Sequence, residues 1–302
     1  MRKLLPSPRW FAWAAALLSA GMAAACSAAT TFQVIAERSD EALRATSNRT
    51  YALIDGGRIH EGQVLAGDPP PDPLALSAII RSELGQAGFS PAAPGHTPAL
   101  LIVYHWGALL DDQAHIAVEG PSYPPAPATH TLVARMRLLN PGAESEAYFG
   151  LANDNPRTNG RPAAEPTPAV RKLMRAASED ERYFVVLAVY DHHLVVAQRP
   201  ELLARTKASC VARAARQDSA VLLASVAAVR ALGQNHDARD VTVSREIPTT
   251  HATADLLATD LDGLGAPRET LIELLKSERN EIRGVRPLLK AQPLAAVTHR
   301  DR

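Results

Sequence analysis

Apolar residues recur at three- and four-residue steps between Asp72 and Gly88, at Leu76, Ile79, Ile80, Leu84 and Ala87, which places one apolar stripe along a helix. Asp72 is a residue type that caps helix N-termini, Pro73 suits the first helical position, and Gly88 suits the closing turn. Thr50 to Ile54 reads as a short apolar strand, joined to this helix by a polar loop rich in Gly and Pro. Beyond the helix, Ala99 to Trp106 is a continuous apolar run, the pattern of a strand covered on both faces. These segments predict a strand-helix-strand crossover.

Further along, Leu132, Ala134, Met136 and Leu138 alternate with Val133, Arg135 and Arg137, so Thr131 to Leu139 reads as a strand with one wet face. Tyr183 to Tyr190 is almost wholly apolar and is the expected central strand. Leu202 to Ser209 interleaves Arg205 and Lys207 with smaller residues and reads as a more exposed strand, connected to its predecessor by Asp191 to Glu201. Asp218 to Leu232 is a helix apolar on more than one face, to be packed against the sheet before Gly233. After about Arg245, Leu271, Ile272, Leu274 and Leu275 mark an amphipathic helix within Pro267 to Arg279. The element order predicts an α+β fold: two layers, a mostly antiparallel sheet with one strand-helix-strand crossover, a closing helix, and a C-terminal helical appendage.

Composition adds a set of surface loops, because 12 of the 23 prolines fall between Pro69 and Pro73, Pro121 and Pro127, and Pro156 and Pro168. Charge argues against a nucleic-acid partner, since 32 basic residues balance 32 acidic ones. The N-terminus has its own logic. Arg2, Lys3 and Arg9 precede an uncharged run from Trp10 to Ala25, too short at 16 residues for the roughly 20 a membrane-spanning helix needs, so residues 1–25 read as a signal peptide. Removing them takes away three basic residues and no acidic one.

Ala23-Ala24-Ala25-Cys26 resembles the lipobox of bacterial lipoproteins, although Ala23 stands where Leu is usual. That resemblance implies a diacylglyceryl thioether on Cys26 and anchoring by acyl chains, and Ser27 in place of Asp implies the outer membrane, facing the periplasm. Ordinary cleavage after Ala25 or Ala28 is the alternative, giving a soluble periplasmic or secreted protein. The only other cysteine, Cys210, offers no disulfide framework and reads as a quiet structural thiol.

Recognised catalytic signatures are missing: there is no Gly-x-Ser-x-Gly, Ser-x-x-Lys, phosphate-cradling glycine loop or His-Glu-x-x-His. His192-His193 could chelate one ion only from a turn, because neighbouring strand side chains point to opposite faces. His105, Asp111, Asp112 and His115 supply donors at a strand end without a recognised spacing. Neither group predicts a metal, and no cofactor is expected. Tyr104 and Trp106 share a strand face and are the candidate lining of a shallow ligand groove.

Arg49-Thr50-Tyr51-Ala52, the helix end Gln86-Ala87-Gly88-Phe89 and the strand Ala99 to His105 resemble the bacterial lipoproteins of domain-of-unknown-function group 4136, over roughly residues 30–235. Val185 to Asp191, Leu203 to Ser209 and the Ala-rich helix after them extend the similarity. The resemblance implies an envelope lipoprotein with an α+β fold and assigns no catalytic residue. The expected organisation is a signal peptide (1–25), an α+β lipoprotein domain with Pro-rich loops (26–245) and a helical extension (246–302). The expected function is a non-catalytic protein-interaction domain with an envelope protein partner. A periplasmic small-ligand binding protein and a hydrolase using His105, Asp111 and Asp112 are the alternatives.

Overall fold

The computed structural model describes residues 29–37, 43, 48–62, 67–110, 126–139, 168–232, 234, 236–243 and 264–283. Its centre is a seven-stranded sheet. In chain order the elements are β1 (Thr30–Glu37), β2 (Thr50–Gly62), α1 (Pro73–Gln86), β3 (Ser90–Pro91), β4 (Leu100–Leu110), α2 (Ala126–Leu139), α3 (Pro168–Glu179), β5 (Arg182–Asp191), α4 (His192–Val196), β6 (Leu202–Val211), α5 (Gln217–Ala231), β7 (His236–Val243) and α6 (Arg268–Arg283). Strand order across the sheet is β3-β2-β4-β5-β6-β1-β7. The β2 pairings with β3 and β4 are parallel and all others antiparallel. This is the expected α+β fold, and β5 is its middle strand.

The crossover β2-α1-β4 forms as the apolar pattern requires. Asp72 accepts from the Leu74 amide at 3.0 Å, capping α1, and Gly88 follows the helix with φ +84°. Leu76, Ile80 and Leu84 are buried against Leu53, Leu100 and Ile102 on the first face of the sheet. Helix α5 lies beside α1 on that face, and Arg230 of α5 pairs with buried Glu83 of α1 at 3.1 Å. An aspartate from outside the helix caps α5: the Asp68 carboxylate accepts from the Gln217 amide, placing negative charge at the positive helix end.

The second face carries α2, α4 and α6. The helix expected as a C-terminal appendage is α6, and it lies directly on the sheet: Leu271 and Leu274 pack with Ala52, Ile54, Leu101, Val103 and Tyr190. Ile282 joins a neighbouring cluster with Ile59, Leu109, Phe184 and Val186.

Local expectations are corrected or extended at five places. The segment Thr131 to Leu139 is helix α2, with Arg135 and Arg137 buried among the apolar residues. Arg135 satisfies its guanidinium on the Leu109, Ala177 and Ser178 carbonyls at 3.2–3.4 Å, so its polarity marked no wet face. Strand β6 is buried, because α2 and α6 cover the side on which Arg205 and Lys207 stand. Strand β2 continues past Ile54 to Gly62, its register shifting between Asp55 and Arg58. The connection after Asp191 contains α4, capped by the Asp191 side chain on the Leu194 amide at 3.0 Å. Among the Pro-rich loops, Pro168 opens α3 instead, at a position where proline lacks only a donor the helix does not use.

Gly107 explains how β2 and β4 approach each other. A Cβ there would run into the Ile59 backbone carbonyl, so only glycine fits this crossing point.

Candidate functional site

Tyr104 and Trp106 do share a face of β4, but it is the interior one. They are 2% and 4% exposed and belong to the core between the sheet and the helices α1 and α5. Burial, the Asp55 charge and a hydrogen bond to Asp55 push the Tyr104 hydroxyl far above the ordinary tyrosine value, so it stays protonated. Trp106 lies under the Arg58 guanidinium, 5.9 Å from the ring centre. Arg58 reaches Gln217 Oε1 at 3.4 Å, and Asp68 links the Gln217 amide to the Tyr183 hydroxyl. These contacts tie the ends of β2, β4 and β5 to the start of α5.

The second face holds a buried ionic network. Glu278 of α6 is 2% exposed; its two carboxylate oxygens accept from Arg205 at 2.6 and 3.2 Å, and the Tyr190 hydroxyl also donates to it. Arg205 reaches Glu37 at 3.4 Å, and Lys207 donates to Glu37 and to the Arg137 carbonyl. Burial lowers the Arg205 pKa, but Glu278, then Glu37 and Tyr190, reverse this and raise it above the ordinary arginine value. Two acidic and two basic groups thus neutralise one another inside the core.

His105 faces this side, 1% exposed, with neither ring nitrogen hydrogen-bonded among the described residues. Its ring lies against Gly56, where a Cβ would collide with it. Burial lowers its pKa, opposed by Glu278, so the neutral ring is the favoured form. Asp111, Asp112 and His115, with which it was grouped, lie outside the described residues. His192 and His193 part company on α4: His192 is buried with Nε2 2.8 Å from the Leu264 carbonyl oxygen, whereas His193 is exposed. Among the described residues no three His, Cys, Asp or Glu side chains are grouped to hold a metal ion. Cys26 lies outside the described residues. Cys210 is buried and its thiol is pushed up to about 12 by burial, against the pull of Arg182.

The chemistry with access to a ligand lies elsewhere, at the end of the sheet where β1 begins. A cavity of about 400 Å³ is lined by Ala29, Thr30 and Gln33 at β1, Arg182 at the start of β5, Ser209 on β6 and Asp240 on β7, among others. Gln33 is the cross-strand partner of both Ser209 and Asp240, which sets these three side by side across β7, β1 and β6. Arg182, 6% exposed, donates from Nη1 to Ser209 Oγ at 3.0 Å and stands 3.6 Å from Asp180 through Nη2. Its Nε is buried with no hydrogen-bond partner among the described residues. Burial lowers the Arg182 pKa, and Asp180, Cys210 and Asp240 oppose that effect. No sequence motif marks this site, because its residues come from four strands spread between residues 29 and 240; only the charged Arg182 at the edge of an apolar strand signalled it.

No protein-family model matches the chain, and a comparison with curated proteins found no match. Among the described residues no helix is long and apolar enough to cross a membrane.

Proposed function

We propose that this chain is a lipid-anchored envelope protein, held through Cys26 at the periplasmic side of the outer membrane, with a non-catalytic α+β binding domain. The observation that carries this reading is where the sheet begins. Strand β1 starts at Thr30, four residues after Cys26, and is an inner strand paired with β6 on one side and β7 on the other. The three intervening residues span at most about 10 Å, so a lipid on Cys26 would hold the rigid sheet against the membrane surface. Acyl chains contribute about 0.8 kcal/mol per buried methylene, and more than one chain makes such attachment stable.

The disposition of buried charge supports the non-catalytic part. Glu37, Arg205, Lys207 and Glu278 satisfy one another beneath α6, as a structural network does. The resemblance to envelope lipoproteins points the same way. A small-ligand reading draws support from the cavity beside Arg182 rather than from Tyr104 and Trp106, which are enclosed in the core.

Fractionation of cells expressing wild type or Cys26→Ala, with cross-linking and mass spectrometry of the membrane fraction, tests the proposal. Wild type is expected in the membrane with acyl mass on Cys26 and with an envelope protein cross-linked to it. Two soluble forms, or an unmodified mature Cys26, would overturn it.

A further inference from the structure

We propose that α6 is an acid-released strap: protonation of His105 beneath it lifts Arg268–Arg283 off the sheet and uncovers the apolar face that the helix covers. The geometry behind this is a junction of β2, β4 and α6. Strand β2 pairs Asp55 with Tyr104 and Arg58 with Trp106, so the two residues between them, Gly56 and Gly57, bulge opposite His105. The ring fills the space at Gly56, where a Cβ would overlap it. It is 1% exposed, and among the described residues neither nitrogen has a hydrogen-bond partner. An imidazolium would bring a second N–H and a full charge into that enclosure.

The charges around the ring do not compensate the added one. Glu278 of α6 attracts a proton, but its carboxylate already accepts from Arg205 twice and from the Tyr190 hydroxyl. Arg279, the next residue of α6, repels it, and its own guanidinium reaches the Arg58 carbonyl at 3.5 Å. Asp55 of β2 attracts, but it is exposed to water and accepts from the Gly57 amide at 2.8 Å. The β5 residue opposite His105 is Val186, which carries no charge. Burial therefore outweighs Glu278, the Gly57 backbone and Asp55, Arg279 adds to it, and the enclosed ring has a pKa below its ordinary value. Opening brings water to both nitrogens and restores a value of about 6.5. The closed form is fully favoured above that pH and is lost as pH falls towards the enclosed value.

The helix is the element free to move. His105 cannot leave, because β4 is hydrogen-bonded to β2 on one side and to β5 on the other. Helix α6 is held by the buried side chains Leu271, Leu274 and Ile282 and by the pairs Glu278 with Arg205, Glu281 with Arg137 and Arg283 with Glu61. A helix docked through side chains alone opens at lower free energy than a ladder at the centre of a sheet. Lifting it exposes Ala52, Ile54, Leu101, Val103 and Tyr190.

Hydrogen exchange of the wild-type protein at about pH 7.5 and about pH 5.5, either side of the ordinary histidine value, tests this. Protection factors from α6 peptides are compared with those from β5. Helix α6 is expected to lose protection by up to about tenfold per pH unit below 6.5, the limit one proton sets, while β5 keeps its own. His105→Phe, which keeps a ring and removes both unpaired nitrogens, is expected to hold α6 closed at both pH values. His105→Gln, which cannot gain a proton, is the second variant and should do the same. In the wild type, NMR titration of the His105 ring is expected to follow the opening with one midpoint, whatever the variants do. Equal loss of protection in α6 and β5, no loss in α6, opening that persists in either variant, or a ring that titrates apart from the opening would overturn the proposal.

Discussion

Truncating Glu278 to alanine isolates what holds α6 to the sheet. The wild-type carboxylate takes two hydrogen bonds from Arg205 and one from Tyr190 while almost fully enclosed. Without it, Arg205, whose side chain is 12% exposed, keeps one carboxylate among the described residues, Glu37 at 3.4 Å. Breaking one side of a buried ion pair costs about 3–5 kcal/mol, because the remaining charge stays desolvated. That is a large share of the roughly 5–15 kcal/mol that stabilises a typical domain. At about 2–4 °C per kcal/mol for a domain of this size, the melting temperature falls by roughly 6–20 °C. Urea denaturation should show the midpoint move with little change in slope. Two controls separate charge from packing. Glu278→Gln keeps the shape and a hydrogen-bond acceptor for Tyr190, so it should lose less than alanine does. Glu278→Met with Arg205→Met removes both charges and should recover part of the loss, although Glu37 then keeps only Lys207. A loss under about 1 kcal/mol for Glu278→Ala, of the kind exposed pairs give, would refute the reasoning.

Three other outcomes follow from the same interior. His105 has a folded-state pKa below its unfolded value of about 6.5, so the unfolded chain takes up the proton first. Stability contributed by this group is intact above that pH and declines on acidification towards the folded value; His105→Gln should flatten that slope in urea titrations, and an unchanged slope would contradict it. Gly56→Ala should cost about 1–3 kcal/mol by forcing a methyl into the His105 ring, with the loss largely relieved in Gly56→Ala/His105→Ala; a strictly additive double mutant would dismiss the clash. Cys210, buried with a thiol pKa of about 12, should react with iodoacetamide only at the rate of unfolding, and rapid labelling of the native protein would show the β6 end to be open.

Legibility of the fold followed whether a segment's polarity reported its exposure. The crossover was readable because Asp72, Pro73 and Gly88 act locally, through the backbone geometry of α1. Strand β5 was readable because burial on both faces leaves only apolar residues to see. Helix α2 was misread because Arg135 and Arg137 are buried, their guanidinium groups reaching carbonyls and an acid from distant segments that no local window contains. The same applies to Glu278, Arg205 and Glu37, which individually look like surface residues and become a network only when α6 folds over β6 and β1. Tyr104 and Trp106 were placed on one face as alternation requires, but alternation cannot say whether that face is covered. The cavity was invisible for a related reason, since Gln33, Arg182, Ser209 and Asp240 meet only through strand pairing.

The position of β1 has a consequence for how the chain matures. It is the first strand of the sheet in sequence, yet both its neighbours, β6 and β7, come from the last third of the chain. A chain delivered N-terminus first must therefore keep Thr30 to Glu37 unpaired until β6, Leu202–Val211, has arrived, and such distant closure is slow. An exposed segment of this kind is a substrate for holding chaperones. If Cys26 is acylated early, it also waits beside the membrane, and the sheet closes there, around its own tether.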